Sequence, residues 1–430
     1  MSISAFQALA TFLTVDRCMR ILMLLNLSCA IIKATVVLML LGVVQACGGG
    51  GSSSDQPIEV ATGGDDALPG DDAPGPEEET FDSPLAEVIA PAENPVTEQK
   101  RVLGKILFWD EQLSSDNTVA CGTCHIPAAG GADPRLATNP GPDGLFDTDD
   151  DVVGSMGIVS RNAQNVPITD DVFGDAVQVT SRGSPNILMS MYAQDMFWDG
   201  RARTEFTDPI RSDEIVAADN ASLESQALVP ILSGVEMAHE GRDWADVTSK
   251  LAAVVPLGVA ARLPSDVVDA LADNPTYPAL VLAAFGDSEI TPVRIGLAIA
   301  TYERTLVPDR TPWDRFMTGD ETAMTEQQIE GWNQFSENTV CDNCHVPPEF
   351  TDHEFYNIGL RPASEDIGRQ EVTLLATDFG SFKTPTLRNV GLRRSQMHVG
   401  WITDTQDAAD FYNANAATTR HTQCFSASGH

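Results

Sequence analysis

The sequence predicts a mainly α-helical protein with two domains of related build, behind an acidic segment that does not fold. Two observations support this. Helical periodicity directly precedes each of two copies of a Cys-x-x-Cys-His motif, and residues 47–94 are rich in Gly, Pro and acid but contain no Lys or Arg. With 430 residues, of which 43% are hydrophobic, the chain is long enough to bury a substantial core, and its length favours two or three domains.

Residues 1–46 predict a signal peptide of the lipoprotein type. The apolar run after Lys33 is too short to span a bilayer, which takes roughly 20 residues. The segment "VVQAC" resembles a bacterial lipobox, in which Cys47 becomes the lipidated first residue of the mature protein. A plain signal-peptidase site and an uncleaved anchor are the alternatives. We therefore expect an exported protein that faces the periplasm or lies in the cell envelope, with a lipid anchor at Cys47.

The remaining chain divides into a linker and two domains. Residues 47–94 are predicted to be a disordered tether, residues 95–285 the N-terminal domain and residues 286–430 the C-terminal domain. The net charge of −36 argues against nucleic-acid binding, because a phosphate backbone would be repelled, whereas a basic protein partner is easily accommodated.

Two identical spacings of cysteine and histidine carry the chemistry. A Cys-x-x-Cys pair in an exported protein could be a disulfide or half of a zinc site, but a His directly after the second Cys indicates covalent attachment of haem c. The copies "CGTCH" and "CDNCH" are 220 residues apart, which makes one shared zinc site unattractive. We therefore predict two covalent haem c groups, the iron of each bound by the motif histidine, at Cys121, Cys124 and His125 and at Cys341, Cys344 and His345.

Amphipathic helices are predicted around both motifs. Apolar side chains recur at helical spacing over residues 97–109, ahead of the first motif, and over 325–338, ahead of the second. A further helix is predicted over 291–306. Helix, motif and a loop that starts near a proline thus form a weak internal repeat, which suggests two haem domains of related build.

Several stretches go beyond what haem attachment alone requires. In chain order they are "LGKILFWDEQLSSDNTVACGTCH", "FWDGRA", "PILSGVEM", "AIATYERTLVPDRTPWDRFMTGD", "CDNCHVPPEFTD" and "FKTPTLRNVGL". With these stretches, from about Thr97 to Asn413, the chain resembles the bacterial di-haem cytochrome c peroxidase and MauG family.

The resemblance implies roles for individual residues. Peroxide would react at the N-terminal haem, whose proximal ligand would be His125, and the C-terminal haem would relay electrons. Glu236 would be the distal acid that moves the peroxide proton, Pro230 would shape that pocket, and Trp198 would lie between the haems. Without the resemblance, a lone Glu is more often solvated and a lone Trp is more often part of a core.

The chain departs from the classical pattern at both haems. Many members have a His in the loop after the first motif that caps the iron, but here no His occurs between His125 and His239, so the first haem is predicted to be five-coordinate unless Met156 substitutes. In classical peroxidases, the distal ligand of the second haem is a Met at a fixed distance along the chain beyond a His. The same distance beyond His398 leads here to Tyr412, as in MauG-like members. A phenolate ligand stabilises oxidised iron, so a low potential is expected there.

A calcium ion is the third cofactor to consider. Asp147, Asp149 and Asp151 present carboxylates at alternate positions, which suits calcium, but a solvated acidic loop explains the spacing equally well. The family's inter-haem calcium uses an Asn that falls here at Gly183, and this departure argues against that site.

Three functions follow from these features. The first is reduction of hydrogen peroxide with electrons from a small redox protein, a cytochrome c or a cupredoxin. The second is MauG-like oxidation of a protein or organic substrate by peroxide or oxygen, which Tyr412 favours. The third is non-catalytic electron transfer between two haems, for which Glu236 would be superfluous. A homodimer is an option that the sequence leaves open.

Overall fold

The computed structural model describes residues 83–416, and the lipobox at Cys47, the leader 1–46 and most of the predicted tether lie outside this range. Helices dominate the described part, as predicted, and short antiparallel strand pairs accompany them. The helices are α1 (Glu98–Trp109), α2 (Cys121–Cys124), α3 (Ser222–Ala227), α4 (Trp244–Ala253), α5 (Ser265–Asp273), α6 (Tyr277–Phe285), α7 (Pro292–Glu303), α8 (Pro312–Met317), α9 (Glu326–Asn333), α10 (Gln370–Thr373) and α11 (Thr405–Ala416).

The strands form four two-stranded antiparallel sheets within residues 83–416. Two of these sheets lie in the long segment between the first motif and residue 180. The strands are β1 (Ala137–Asn139), β2 (Val152–Gly154), β3 (Met156–Val159), β4 (Val177–Val179), β5 (Phe206–Thr207), β6 (Ile215–Ala217), β7 (Phe355–Tyr356) and β8 (Phe382–Lys383), and they pair in sequence order.

The three helices predicted around the motifs are present. The helix predicted over 97–109 is α1, the one predicted over 291–306 is α7, and the one predicted over 325–338 is α9 continued by a π-helical turn, Gln334–Asn338. Thr97 caps α1 by accepting a hydrogen bond from the backbone N–H of Lys100, which satisfies a donor that has no partner within the helix.

The main core lies where α1 packs on α7. The apolar face of α1 is fully buried against α7, and this burial is the main stabilisation of the first half. The two helices approach so closely that a Cβ on Gly104 would lie 1.8 Å from the carbonyl oxygen of Ala298. Glycine is therefore required at this crossing, because any larger side chain would separate the helices.

The segment 83–94 corrects the predicted extent of the tether. We expected disorder up to residue 94, but Leu85 is buried and Asn94 is completely buried. The Asn94 amide donates to Glu224 at 2.7 Å and its oxygen accepts from Lys100 at 2.8 Å. The acidic composition of the tether did not reveal this, because the segment is fixed by contacts of Asn94 with a buried partner 130 residues away in the chain.

Within residues 83–416, the two predicted domains lie in one compact unit. Helix α7 follows the predicted boundary at 285/286, yet its apolar residues share the core of α1, so by packing it belongs with the first half. The division into two domains itself stays a prediction. Within residues 83–416, every helix is too short or too polar to cross a lipid bilayer.

Candidate functional site

The first motif lies at the end of α1 and is enclosed by its neighbours. Helix α2 begins at Cys121, where the backbone N–H of Ala120 donates to Thr123 Oγ1 at 2.8 Å. Burial raises the pKa of the Cys121 thiol well above its usual range and that of Cys124 to about 12. Neither thiol is in a disulfide bond, so both are free to form thioethers with haem vinyl groups.

His125 is oriented by its Nδ1 atom. Nδ1 lies 3.3 Å from the carbonyl oxygen of Gly131, and the carbonyl of Pro185 is a second acceptor nearby. Burial lowers the pKa of His125, so the neutral imidazole is favoured. A neutral ring with Nδ1–H on a backbone carbonyl has Nε2 available as a metal ligand.

Glu236 lies beside the first motif, although it is 112 residues beyond Cys124 in the chain. A short 3-10 turn, Pro230–Leu232, leads into a tight loop in which the N–H of Glu236 donates to the carbonyl of Ser233 at 3.1 Å. The same loop packs on β3, where the N–H of Ile158 donates to the carbonyl of Val235. Burial raises the pKa of Glu236, while its negative charge raises the pKa of the Cys121 and Cys124 thiols. The carboxyl is therefore a desolvated acid next to the first haem attachment site.

Trp198 lies where the two halves meet. Its Nε1 donates to the carbonyl of Gly183 at 2.8 Å, and its own carbonyl accepts from the N–H of Lys383 at 2.8 Å. Its ring is 6.2 Å from that of His398 in an edge-to-face arrangement, and it lines the same cleft as His125. The indole thus bridges the first motif and the second half.

The second motif is more open than the first. Cys341 is exposed, and the ring of His345 is oriented as that of His125 is, with Nδ1 3.2 Å from the carbonyl of Phe350 and the carbonyl of Pro385 nearby. Cys344 is engaged in a disulfide bond, which has to be reduced before its sulfur can form a thioether to a haem. Burial lowers the pKa of His345, so the neutral ring is favoured here too.

An aromatic cluster lies next to His345. The Phe350 ring is 4.9 Å from that of Trp313, and Trp332 and Phe335 of the preceding helix complete the cluster. Trp313 Nε1 is a buried donor without an acceptor within the described part of the chain.

Tyr412 lies on α11 near this second motif. The helix spans Thr405–Ala416, and the phenol is close enough to Cys341 for the thiolate charge to influence it. Burial and then Cys341 raise the pKa of Tyr412 to about 12, although 37% of the residue is exposed. Tyr412 therefore lies near the second motif while part of the residue stays exposed.

The two halves repeat the same local framework. A left-handed residue precedes Trp198 and His398 alike, at Phe197 with φ 69° and at Met397 with φ 64°. Three features recur with an offset of 200 residues: 3-10 turns at Ser190–Tyr192 and Val390–Leu392, bridges Met196–Ala202 and Gln396–Ile402, and prolines 185 and 385 facing the two motif histidines. This repeat has an offset of 200 residues and lies outside the helix-and-motif repeat predicted from the sequence, whose two motifs are 220 residues apart.

Both motifs fit a haem held by a histidine, and the first also presents two free thiols for covalent attachment. Each motif offers an imidazole with its Nδ1 fixed on a backbone carbonyl, which leaves Nε2 for an iron. Near His125, the cleft is lined by Asn186, whose Nδ2 is a buried donor without an acceptor among residues 83–416. Such orphan donors are what a haem propionate would satisfy.

Two residues at these sites escaped the sequence-based prediction. Glu303, within the quoted stretch "ATYERTL", is buried beside Cys121 and its Oε2 has no partner in the described part of the chain. Burial raises its pKa to about 8. His398 served only as a reference point for Tyr412, but its ring stacks on Phe382 at 3.6 Å, and burial lowers its pKa to about 4. The sequence offered one signal for Glu303, since it is a charged residue at the end of an otherwise apolar helix.

In the acidic loop, carboxylates accept hydrogen bonds from backbone N–H groups of the same loop. The N–H of Asp147 donates to Asp151 at 3.0 Å, and the N–H of Asp143 donates to Asp150 at 3.0 Å. Among residues 83–416, no group of three or more His, Cys, Asp or Glu is arranged to hold a metal ion. The calcium ion stays a prediction.

Comparisons with known proteins agree with this geometry. A family model described as di-haem cytochrome c peroxidase matches residues 98–322. The methylamine utilization protein MauG of Methylophilus methylotrophus is 30% identical over 348 residues, which cover 79% of this chain and 80% of MauG. The cytochrome c551 peroxidase of Pseudomonas aeruginosa is 28% identical over 323 residues, with 73% and 71% covered.

Solved structures give the same fold. A MauG-like protein associated with microbial copper homeostasis matches with a TM-score of 0.52 at 21% identity, over 76% of this chain and 81% of that one. The diheme peroxidase BthA from Burkholderia thailandensis matches with a TM-score of 0.51 at 21% identity, over 75% and 73%.

Proposed function

Because the chain belongs to the di-haem cytochrome c peroxidase family, a family of oxidoreductases, we propose that it reduces hydrogen peroxide at the haem of the first motif, with electrons relayed through the haem of the second. The observation that carries this proposal is the desolvated carboxyl of Glu236 beside Cys121 and Cys124. The reduction consumes two electrons and two protons per peroxide and yields two water molecules.

Glu236 is suited to handle protons in this reaction. When bound, the haems supply iron that accepts electrons and passes them on. Glu236 as carboxylate would take the proton from one peroxide oxygen and, as acid, return it to the other. Burial raises its pKa, so its two protonation states are closer in energy near neutral pH than for a solvated Glu. Pro230 begins the turn that leads into the Glu236 loop, so its proposed role is to shape this pocket.

Electrons would enter through the second half. Cys341 is exposed, which supports a haem there that a small donor protein, such as a cytochrome c or a cupredoxin, could approach. Trp198 would connect the halves, because it lines the cleft at His125 and its ring contacts that of His398. We propose that a lipid anchor at Cys47 holds the enzyme at a membrane facing the periplasm.

Tyr412 favours a second candidate function. If its phenolate is an axial ligand of the second haem, that haem would hold oxidising equivalents rather than deliver electrons. The protein would then oxidise a protein or organic substrate, with peroxide or oxygen as the oxidant, and the similarity to MauG and to a MauG-like protein supports this alternative.

The decisive experiment compares Glu236→Gln with Glu240→Gln in the haem-loaded protein. Glu240 is exposed and four residues away, so it controls for loss of one carboxylate in the same segment. We expect Glu236→Gln to lower peroxide turnover with reduced cytochrome c by about 10²–10⁴-fold. In the wild type, turnover should fall towards acid as Glu236 becomes protonated, at a pH above the ordinary 4.5, and this limb should be absent in Glu236→Gln.

Three outcomes discriminate between the functions. Turnover of Glu236→Gln within threefold of the wild type would refute the assigned role. Absence of turnover in the wild type, together with a persistent change in both haem spectra after peroxide, would favour substrate oxidation. Two six-coordinate haems that do not respond to peroxide would leave only electron transfer.

A further inference from the structure

We propose that Trp109 is a surface site at which the oxidising equivalents of the first haem are passed to a neutral phenol, without passage through the second half. This inference rests on the proposed reaction of peroxide at the first motif. It assigns a second type of reductant to that reaction and a residue that contacts it.

The first observation is the contact between Trp109 and the motif itself. Its ring lies on Gly122, between the two haem-attaching cysteines, so closely that a Cβ on Gly122 would be 2.3 Å from the indole Cε3. Any side chain at residue 122 would displace the indole. The ring therefore lies within van der Waals distance of the backbone that joins the two haem attachment points.

The second observation is exposure. All six tryptophans lie within residues 83–416, and Trp109 and Trp401 are the two that expose more than a third of their surface, at 37% and 46%. Trp109 is the one of these two that also touches the first motif. An exposed indole offers an aromatic face on which a substrate ring can stack.

The third observation is that buried aromatic residues contact the indole of Trp109 from the interior of the protein. Its Nε1 donates to the hydroxyl of Tyr302 at 3.1 Å, and both rings meet the buried Phe108 edge to face. A hydrogen bond from N–H to a phenol oxygen stabilises an indole that has lost an electron, because the positive charge that develops on N–H strengthens the bond. Tyr302 is itself buried, so the indole is the exposed end of this group.

The charge of the protein selects the substrate. At −36, the protein repels anionic aromatics, and the cations next to Trp109 on α1 are neutralised, since Lys105 and Arg101 both pair with Asp266 at 2.8 Å. A neutral phenol is not repelled by the net charge and needs no free cation next to Trp109. Peroxide supplies the oxidant: Trp109 loses one electron to the first haem site and regains it from the phenol, which releases a proton and becomes a phenoxyl radical. Two phenols and one peroxide give two phenoxyl radicals and two waters.

The test uses the full-length, haem-loaded protein, peroxide and 2,6-dimethoxyphenol as the probe. We expect Trp109→Phe to lower oxidation of this phenol at least tenfold and to keep oxidation of reduced cytochrome c within twofold of the wild type. Trp401→Phe is the matched control and should leave both rates unchanged. Tyr302→Phe should lower phenol oxidation severalfold, because the indole loses its hydrogen-bond acceptor.

A second readout does not depend on turnover. After peroxide without any donor, peptide mass spectrometry should find added oxygen on Trp109 and not on Trp401. Normal cytochrome c oxidation with an unchanged phenol rate in Trp109→Phe, or oxygen addition at Trp401 equal to that at Trp109, would overturn this proposal alone. If the wild type oxidises neither donor with peroxide, the proposed function fails and the role of Trp109 fails with it.

Discussion

Trp198 and His398 occupy the same place in the two halves, 200 residues apart, each after a left-handed residue and each on the loop that follows a proline facing a motif histidine. Around this shared framework the two halves differ. The first motif is enclosed and has the carboxyls of Glu236 and Glu303 beside its cysteines. The second has an exposed Cys341, an aromatic cluster and the phenol of Tyr412.

The difference indicates that one backbone framework can support two chemistries. Both halves fix an imidazole by its Nδ1, which leaves Nε2 of each for an iron. What changes is the group that lies near each motif: the buried carboxyl of Glu236 in the first half and the phenol of Tyr412 in the second. We expect substitutions of these two residues to affect one half each.

The largest effect that tests this comparison is expected at Tyr412. In Tyr412→Phe the phenol oxygen is lost, so the second haem should lose an axial ligand, with a changed absorption and electron paramagnetic resonance spectrum and a higher midpoint potential. The first haem should keep its spectrum. Spectroelectrochemistry of the purified protein measures both haems at once.

Tyr356→Phe is the control for this experiment. Tyr356 also lies in the second half, but its hydroxyl donates to Asp352 at 2.8 Å. Its removal should leave both haem spectra as they are. If Tyr412→Phe does not alter the second haem either, Tyr412 is a helix residue without a role at the iron, and the two halves are more alike than we propose.

The next effect is expected where the halves meet. Trp198→Phe removes the hydrogen bond to Gly183 and shortens the ring that faces His398. Electron transfer between the haems should slow at least tenfold, whereas the spectrum of each haem should stay the same. Stopped-flow absorbance after mixing with peroxide measures the rate of electron transfer, and the spectra before mixing show whether each haem is unchanged.

Trp244→Phe is the matched variant for Trp198. Trp244 begins α4, on the side of the first half where it packs against the main core. Trp244→Phe should leave the rate of electron transfer between the haems unchanged. Equal rates in Trp198→Phe and the wild type would show that electrons take another route between the halves.

The sequence alone predicted the helical framework because periodicity is local. Apolar spacing over 97–109 suffices to predict α1. The two motifs were equally visible, since each is five consecutive residues. Burial of residues 83–94 was missed, because it depends on Asn94 meeting Glu224, which is 130 residues away.

The residues around the two motifs could not be predicted from local sequence patterns alone. Glu236 could be named only through the resemblance to the family, because nothing in "VEM" distinguishes it from a solvated carboxylate. Glu303 was not named at all, although it lies in a stretch that the resemblance used. Both carboxyls acquire their character from burial, which is a property of the fold and not of their neighbours in sequence.

Glu303 tests the comparison through the stability of the protein and not through the haems. Its pKa in the folded protein is about 8, above the ordinary 4.5, so the folded state holds a proton that the unfolded state releases. The stability that this proton brings is complete below pH 4.5 and is lost as pH rises to about 8. In Glu303→Gln this loss cannot occur, so at pH 9 the variant should be more stable than the wild type by on the order of 5 kcal/mol. Urea unfolding at pH 5 and pH 9 measures the difference, with the exposed Glu321→Gln as control. An identical pH dependence in Glu303→Gln and the wild type would mean that the first half does not hold a protonated acid beside Cys121, and the contrast between the halves would then depend on Glu236 alone.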